Sequence, residues 1–290
     1  MSTNETPCEF SRRRMLALSG AGVAGLALAA CDSSAPAGSG AESTGEAAAT
    51  EGGATTSAQC VLTTNLTEGP YYLDGAMIRA DITDGKTGVP LTLRLTVQDT
   101  TEACAPVPGA AVEIWHCDAW GYYSGYTENS PGGEVPAESE DGSGADPETF
   151  LRGFQVAGED GTVEFTTIVP GWYSGRTTHI HVKVHTGGER EDGGYEGGTV
   201  NFTGQLFFAD DIVTSVNQSE PYSRHTGDGP MTLDEDSIYQ GGGTADGLLA
   251  MEKSGDGYLG TLILGIDPDA ENDGGGGAGG GEEPPAPPQS

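Results

Sequence analysis

The chain has 290 residues and carries 44 Asp and Glu against 12 Lys and Arg, a formal net charge of −32. A surface of that sign repels phosphate backbones and anionic lipids, so no nucleic acid is expected as a partner and solubility in a salty or extracellular setting is the plain reading. Both ends are low in complexity, which leaves about one domain's worth of sequence with a proper core and no room for a second catalytic domain.

In chain order, Ser11-Arg12-Arg13-Arg14-Met15-Leu16 is a twin-arginine pattern. The apolar run behind it, Ala17 to Ala30, is short for a membrane span but suits a signal-peptide core. Leu28-Ala29-Ala30-Cys31 resembles a bacterial lipoprotein cleavage box. Residues 1–30 are therefore expected to be a signal peptide, with Cys31 lipidated. The product would be exported to the cell surface or another extracytoplasmic site and would touch the membrane only through that anchor. Residues 31–57 are Ser, Ala, Gly, Thr and Glu with almost nothing apolar to bury, the composition of a flexible tether. Residues 268–290, with Gly274–Gly277 and a closing Pro-rich stretch, have the composition of a second disordered tail. The folded domain is expected over residues 58–267.

Cysteine usage fits export. With Cys8 in the signal and Cys31 at the lipid site, Cys60, Cys104 and Cys117 remain, and an oxidising compartment favours one disulfide. Cys60–Cys104 is the expected pair, because it ties the first segment of the domain to a loop. Cys117 is then a buried free thiol behaving as a small hydrophobe.

Within the domain the periodicity is that of strands. Leu91, Leu93, Leu95 and Val97 alternate with Thr92, Arg94, Thr96 and Gln98. Ala111–His116, Thr162–Ile168, His179–Val184, Gln205–Phe208 and Tyr258–Ile266 are further candidates, separated by Gly, Pro, Asp and Asn turns. Helical signal is confined to one short turn at Asp210–Val216, and Thr127–Pro147 is too polar for core and reads as a loop over one end. The fold class expected is all-β, a single β-sandwich domain between disordered N- and C-terminal tails.

The sharpest chemical signal is Tyr173-Ser174-Gly175-Arg176-Thr177-Thr178-His179-Ile180-His181. Side chains two apart on a strand share a face, so His179 and His181 present two imidazoles side by side. Lys183 and His185 continue that face, which makes His185 a rim residue or a competing ligand. A lone His-x-His is weak, and on its own is more often structural. Upstream, Trp115-His116-Cys117-Asp118-Ala119-Trp120-Gly121-Tyr122-Tyr123 sets two tyrosines after a strand. Ferric iron is a hard, acidic ion that takes phenolate oxygen with imidazole nitrogen, whereas ferrous facial-triad sites need a carboxylate beside the two histidines.

At this point the chain resembles the intradiol ring-cleaving dioxygenases, the family of the protocatechuate 3,4- and catechol 1,2-dioxygenases. The resemblance rests on Glu68-Gly69-Pro70-Tyr71-Tyr72, Pro108-Gly109-Ala110, Ile114–Ser124, Phe150-Leu151-Arg152-Gly153, Thr167–Tyr173, Arg176, His179-Ile180-His181 and Gln205-Leu206-Phe207-Phe208. It implies Fe(III) held by Tyr123, Tyr173, His179 and His181. Tyr123 is preferred to Tyr122 on the family's spacing after the tryptophan. It also implies Tyr173 as displaceable ligand and base, Arg176 as the cation that stabilises negative charge on the ring, and Gln205 beside it. Pro70 and Tyr71 would line the substrate pocket, and Trp172 either stacks on substrate or buries beside its turn.

The reaction implied is insertion of both atoms of dioxygen into a small aromatic diol, giving a cis,cis-muconate-type diacid. Oligomeric state is left open, a homodimer being one option. The acidic, glycine-rich stretch Gly187–Gly198 departs from the family pattern and bears on the pocket rim. Two other readings are weighed: a non-catalytic surface lipoprotein that binds aromatic compounds or ferric complexes, and a ferrous enzyme using His179, His181 and a carboxylate.

Overall fold

Alternation at Leu91–Val97 produces the centre of one sheet. In the computed structural model, which describes residues 60–127, 130, 132, 145–191, 193–243 and 246–272, β1 (Pro90–Asp99) buries Leu91, Leu93, Leu95 and Val97 on one face. It pairs in parallel with β11 (Gly257–Ile266) along Leu91–Asp99. Its other edge takes β5 (Thr162–Ile168) and the two-residue β2 (Ala105–Pro106), both antiparallel, while β10 (Ala250–Ser254) flanks β11.

The second sheet is antiparallel throughout, in the order β4 (Arg152–Val156), β3 (Ala111–Trp115), β6 (His179–Thr186), β9 (Thr199–Phe207). Val112, Ile114, Ile180, Val182, Val184, Phe202 and Leu206 join the residues of β1 in one buried cluster between the sheets. This is the expected all-β sandwich, with face-to-face sheets sharing a single apolar core.

The opposite face of the second sheet is also buried, which simple alternation does not predict. Glu113, Trp115, His179, His181, Lys183 and Gln205 are all buried. The segment Leu66–Leu73 lies across them as a strap, and it explains why β6 is buried at six consecutive residues. Tyr72 meets the Trp115 indole at 5.1 Å between centroids, and a Cβ on Gly69 would fall 2.9 Å from Cε1 of His181. The polar side chains therefore sit in a thin third layer between sheet and strap.

The acidic stretch Gly187–Gly198 contains a small hairpin of β7 (Glu189–Glu191) and β8 (Gly194–Glu196). The helical turn expected at Asp210–Val216 is α1 (Asp210–Asn217), whose first-turn Asp210 and Asp211 suit the positive end of the helix dipole. Among the described residues no helix is long and apolar enough to cross a membrane. Ordered chain continues past Asp267: Asn201 Nδ2 donates to the carbonyls of Pro268 and Ala270, and the Asn272 amide to Val200. Cys60 and Cys104 form a disulfide with Cα atoms 5.6 Å apart, and Cys117 is buried and free. The twin-arginine pattern, Cys31, the tether 31–57, most of the Thr127–Pro147 loop and the tail from residue 273 lie outside the described residues.

Candidate metal centre

Four of the expected residues converge. His179 and His181 leave the same face of β6, and their Nε2 atoms stand 3.2 Å apart. Nδ1 of His179 is 2.7 Å from the Thr177 carbonyl, which can only accept, so Nδ1 carries the proton and Nε2 the lone pair. The Tyr173 hydroxyl lies 3.1 Å from that same Nε2. Tyr123, fully buried, packs edge-on to both Tyr173 and His181 at 6.0 and 5.9 Å between centroids. Its hydroxyl makes no hydrogen bond of good geometry, nor does Nδ1 of His181. Tyr122 instead packs against the inter-sheet core.

Local sequence explains the placement. Tyr123 follows a loop pinned by Asp118, whose Oδ1 accepts the amides of Trp120 and Tyr122 while Oδ2 pairs with Lys86 at 3.0 Å. Gly121 (φ 88°) has no room for a Cβ, which would meet the Trp172 carbonyl at 2.4 Å. The two loops that carry Tyr123 and Tyr173 are thereby packed backbone to backbone. Gly171, where a Cβ would meet the Ala119 carbonyl at 2.4 Å, makes the same close approach from the other side.

The electrostatics favour a cation. Burial, with Tyr173 as neighbour, pushes the Tyr123 phenol well above its ordinary range, and burial does the same to Tyr173. Burial first, then Arg176, holds His179 well below the usual imidazole value; burial and then His179 do so for His181. Two neutral imidazoles and two phenols thus face one point with an unpaired phenol oxygen among them. Buried polar atoms left without partners are costly. A hard trivalent cation satisfies all four donors, and it alone would hold the phenols as phenolates at neutral pH. The donor set fits ferric iron. Among the described residues no cluster of three His, Cys, Asp or Glu side chains forms a metal-binding group, so none of the described carboxylates joins His179 and His181 as a third ligand.

Arg176 reaches the same point from the Tyr173–His179 turn. Its Nε donates to Asp236 at 2.8 Å, its Nη2 to Gln205 Oε1 at 2.5 Å, and its Nη1 is 3.4 Å from His179 Nε2. Gln205 in turn donates to the Thr67 carbonyl of the strap at 3.0 Å. Tyr71 is half-buried and stacks on Tyr123 (4.5 Å, 18°), so it roofs the phenol; Pro70 is half-buried in the same strap. Trp172 stacks on His225 at 3.9 Å and buries beside its turn. His185 lies at the rim, with Nε2 3.4 Å from Glu113 and packed against Phe154 and Tyr195.

Sequence reasoning missed Asp236, and it missed the Lys183–Glu68 ion pair that fastens the strap to β6, with Lys183 Nζ also 3.5 Å from the Tyr72 ring centre. The shared face of His181 and Lys183 was legible, but nothing in the sequence says that Glu68 comes to meet it.

The chain is similar to known dioxygenases. A family model described as a dioxygenase matches residues 67–233, more than half of the chain. An intradiol ring-cleavage dioxygenase from Tetranychus urticae is similar in structure, with a TM-score of 0.61 and 31% identity over 74% of this chain and 98% of that one. Catechol 1,2-dioxygenase 1 of Acinetobacter lwoffii is 34% identical over 111 residues, 37% of this chain and 30% of the relative. A chlorocatechol 1,2-dioxygenase of Pseudomonas sp. strain P51 is 30% identical over 128 residues, 42% of this chain and 49% of that protein. The matched region spans less than half the length of either bacterial relative.

Proposed function

Because the chain belongs to the intradiol ring-cleavage dioxygenase family, we propose that it opens a catechol-type aromatic diol between its two hydroxylated carbons, using Fe(III) held by Tyr123, Tyr173, His179 and His181. Both atoms of dioxygen enter the product, a cis,cis-muconate-type diacid. The observation that carries the reading is the convergence of two phenols and two imidazole Nε2 atoms on one buried point. The bacterial relatives are named for catechol and chlorocatechol, which supports a simple diol as substrate.

Ferric iron bound there would supply Lewis acidity and a template for the diol. The protein's own groups do the rest. Tyr173 is the less buried of the two phenols and lies beside Arg176, so it is the one placed to accept a proton from the incoming diol. Arg176 holds a fixed positive charge at the centre, where it stabilises negative charge on the ring in a water-poor site. Tyr71 and the strap exclude water from the Tyr123 side. The same proposal takes the enzyme out of the cytoplasm on a lipid at Cys31, supported by the twin-arginine and lipoprotein patterns.

The test is the visible spectrum of the purified, signal-free protein with iron, before and after anaerobic catechol. A broad red-purple band that shifts on adding catechol, followed by uptake of one dioxygen per ring opened in air, is the expected result. An iron-replete but colourless protein would exclude the two-tyrosinate centre.

A further inference from the structure

Asp236 lies outside the segment that matches the family model, and its side chain is completely buried. Its hydrogen bonds are fully assigned. Oδ1 accepts the amides of Ile238 (2.9 Å) and Tyr239 (3.0 Å), which fixes the carboxylate to its own turn. Oδ2 accepts Nε of Arg176 (2.8 Å) and the amide of Thr177 (2.9 Å). A carboxylate has about four acceptor positions, so none is left for water or substrate.

Both groups held by Oδ2 belong to the site. Thr177 is the residue whose carbonyl takes the Nδ1 proton of His179. Arg176 is held at two of its three nitrogens, Nε by Asp236 and Nη2 by Gln205. A planar guanidinium fixed at two nitrogens has no remaining rotation, and Nη1 is left aimed at His179 Nε2 from 3.4 Å. Without Asp236, Gln205 alone would leave the plane free to swing about one hydrogen bond.

We infer that Asp236 is a positioning residue for the ring-opening reaction: it fixes the Arg176 guanidinium so that one N–H edge faces the centre. The inference rests on the dioxygenase reading above. A competing account makes Asp236 only a counter-charge. The two predict opposite signs, because a counter-charge weakens the field of Arg176 and its removal would strengthen stabilisation of negative charge. A positioning group, once removed, lets the cation drift, and a displacement near 1 Å is enough to cost about a hundredfold in rate.

The variant that separates them is Asp236→Asn. Its amide oxygen still serves the turn, while its NH2 opposes two donors, Nε of Arg176 and the Thr177 amide. In iron-loaded enzyme, kcat should fall by about tenfold to a hundredfold. Iron content and the visible band should stay at wild-type values. Arg176→Lys should be impaired as well, and adding Asp236→Asn to it should cost nothing further. In iron-free protein labelled with ¹⁵N-arginine, wild type should show a slowly exchanging Arg176 Nε–H resonance that disappears in Asp236→Asn.

Unchanged or increased kcat in Asp236→Asn, or losses that multiply in the double variant, would overturn the inference. If Asp236→Asn does not fold, the wild-type resonance decides alone: a fast-exchanging, rotationally averaged guanidinium overturns it, and a protected one sustains it. A wild-type protein with neither band nor turnover would instead sink the dioxygenase reading, and the iron-free measurement would still report on the Asp236–Arg176 pair.

Discussion

Gly69 offers a test in which backbone and steric costs can be separated. Its φ is +78°, and a Cβ there would lie 2.9 Å from Cε1 of His181, with Nδ1 and Nε2 equidistant at 3.7 Å. The methyl of Gly69→Ala would therefore press end-on against the imidazole. The ring has little freedom to give way, because it is stacked on the Trp115 indole at 4.9 Å and 8° and its Nε2 already faces that of His179. The left-handed backbone costs about 1–2 kcal/mol for an alanine, and overpacking a tight site adds about 1–3 kcal/mol.

Gly109 supplies the control: its φ is also +78°, and nothing lies within 4 Å of its would-be Cβ. Gly109→Ala reads the backbone cost alone. Thermal unfolding of the iron-free proteins should place Gly69→Ala below Gly109→Ala by a few degrees or more, at about 2–4 °C per kcal/mol for a domain of this size. Iron binding should weaken only in Gly69→Ala, since metal sites tolerate ligand displacements of only about 0.2 Å. Equal melting temperatures with full iron retention in both variants would refute the claim that the strap backbone seats His181.

Other consequences can be measured directly. His116 is fully buried, its Nδ1–H donating to the Cys117 carbonyl and its Nε2 accepting from Thr167, and burial pushes its pKa down to about 4. Because the folded pKa lies below the unfolded value, the unfolded chain takes up the proton first; stability is full above about pH 6.5 and falls through to pH 4, by about 3 kcal/mol. Denaturant titrations from pH 7 to 4.5 should show a shallower loss in His116→Gln, and parallel curves would exclude this group. Lys86→Met leaves Asp118 buried without its cation, and should cost about 3 kcal/mol while loosening the loop that carries Tyr123; an unchanged chemical-denaturation midpoint would contradict this. Cys31→Ser should abolish incorporation of labelled fatty acid in an expressing bacterium and release the protein from the membrane fraction, whereas labelling that persists would rule out Cys31 as the acylated residue.

The strands most legible in the sequence were those whose two faces meet different surroundings. β1 has a core face and an outer face, and Leu91 to Val97 spell that out. β4, Arg152-Gly153-Phe154-Gln155-Val156, shows no such pattern because neighbouring chain covers its outer face: Arg152 is buried on Ser124, and Phe154 packs against Tyr195 of the β7–β8 hairpin. The first half of β9 was hidden for the same reason: Asn201 and Thr203 are polar yet buried under bonded chain. β10, Ala-Met-Glu-Lys-Ser, is a charged edge strand that takes its conformation from pairing with β11. In the site, His179 and His181 announced themselves by spacing, and Tyr123 and Tyr173 by resemblance. Asp236 could not, since its partner is 60 residues away and no local pattern links them.

The parallel register of β1 with β11 has a kinetic side. The central strand of the first sheet finds one of its two long neighbours only at the far end of the described chain. Pairings so distant in sequence incur loop-closure entropy before any contact compensates it, which places this domain among slow folders. Until β11 arrives, β1 presents an open edge with four apolar side chains beside it, the kind of surface on which nascent chains associate. A truncation ahead of Gly257 should therefore give aggregates rather than a smaller enzyme, although every residue of the candidate centre would still be present.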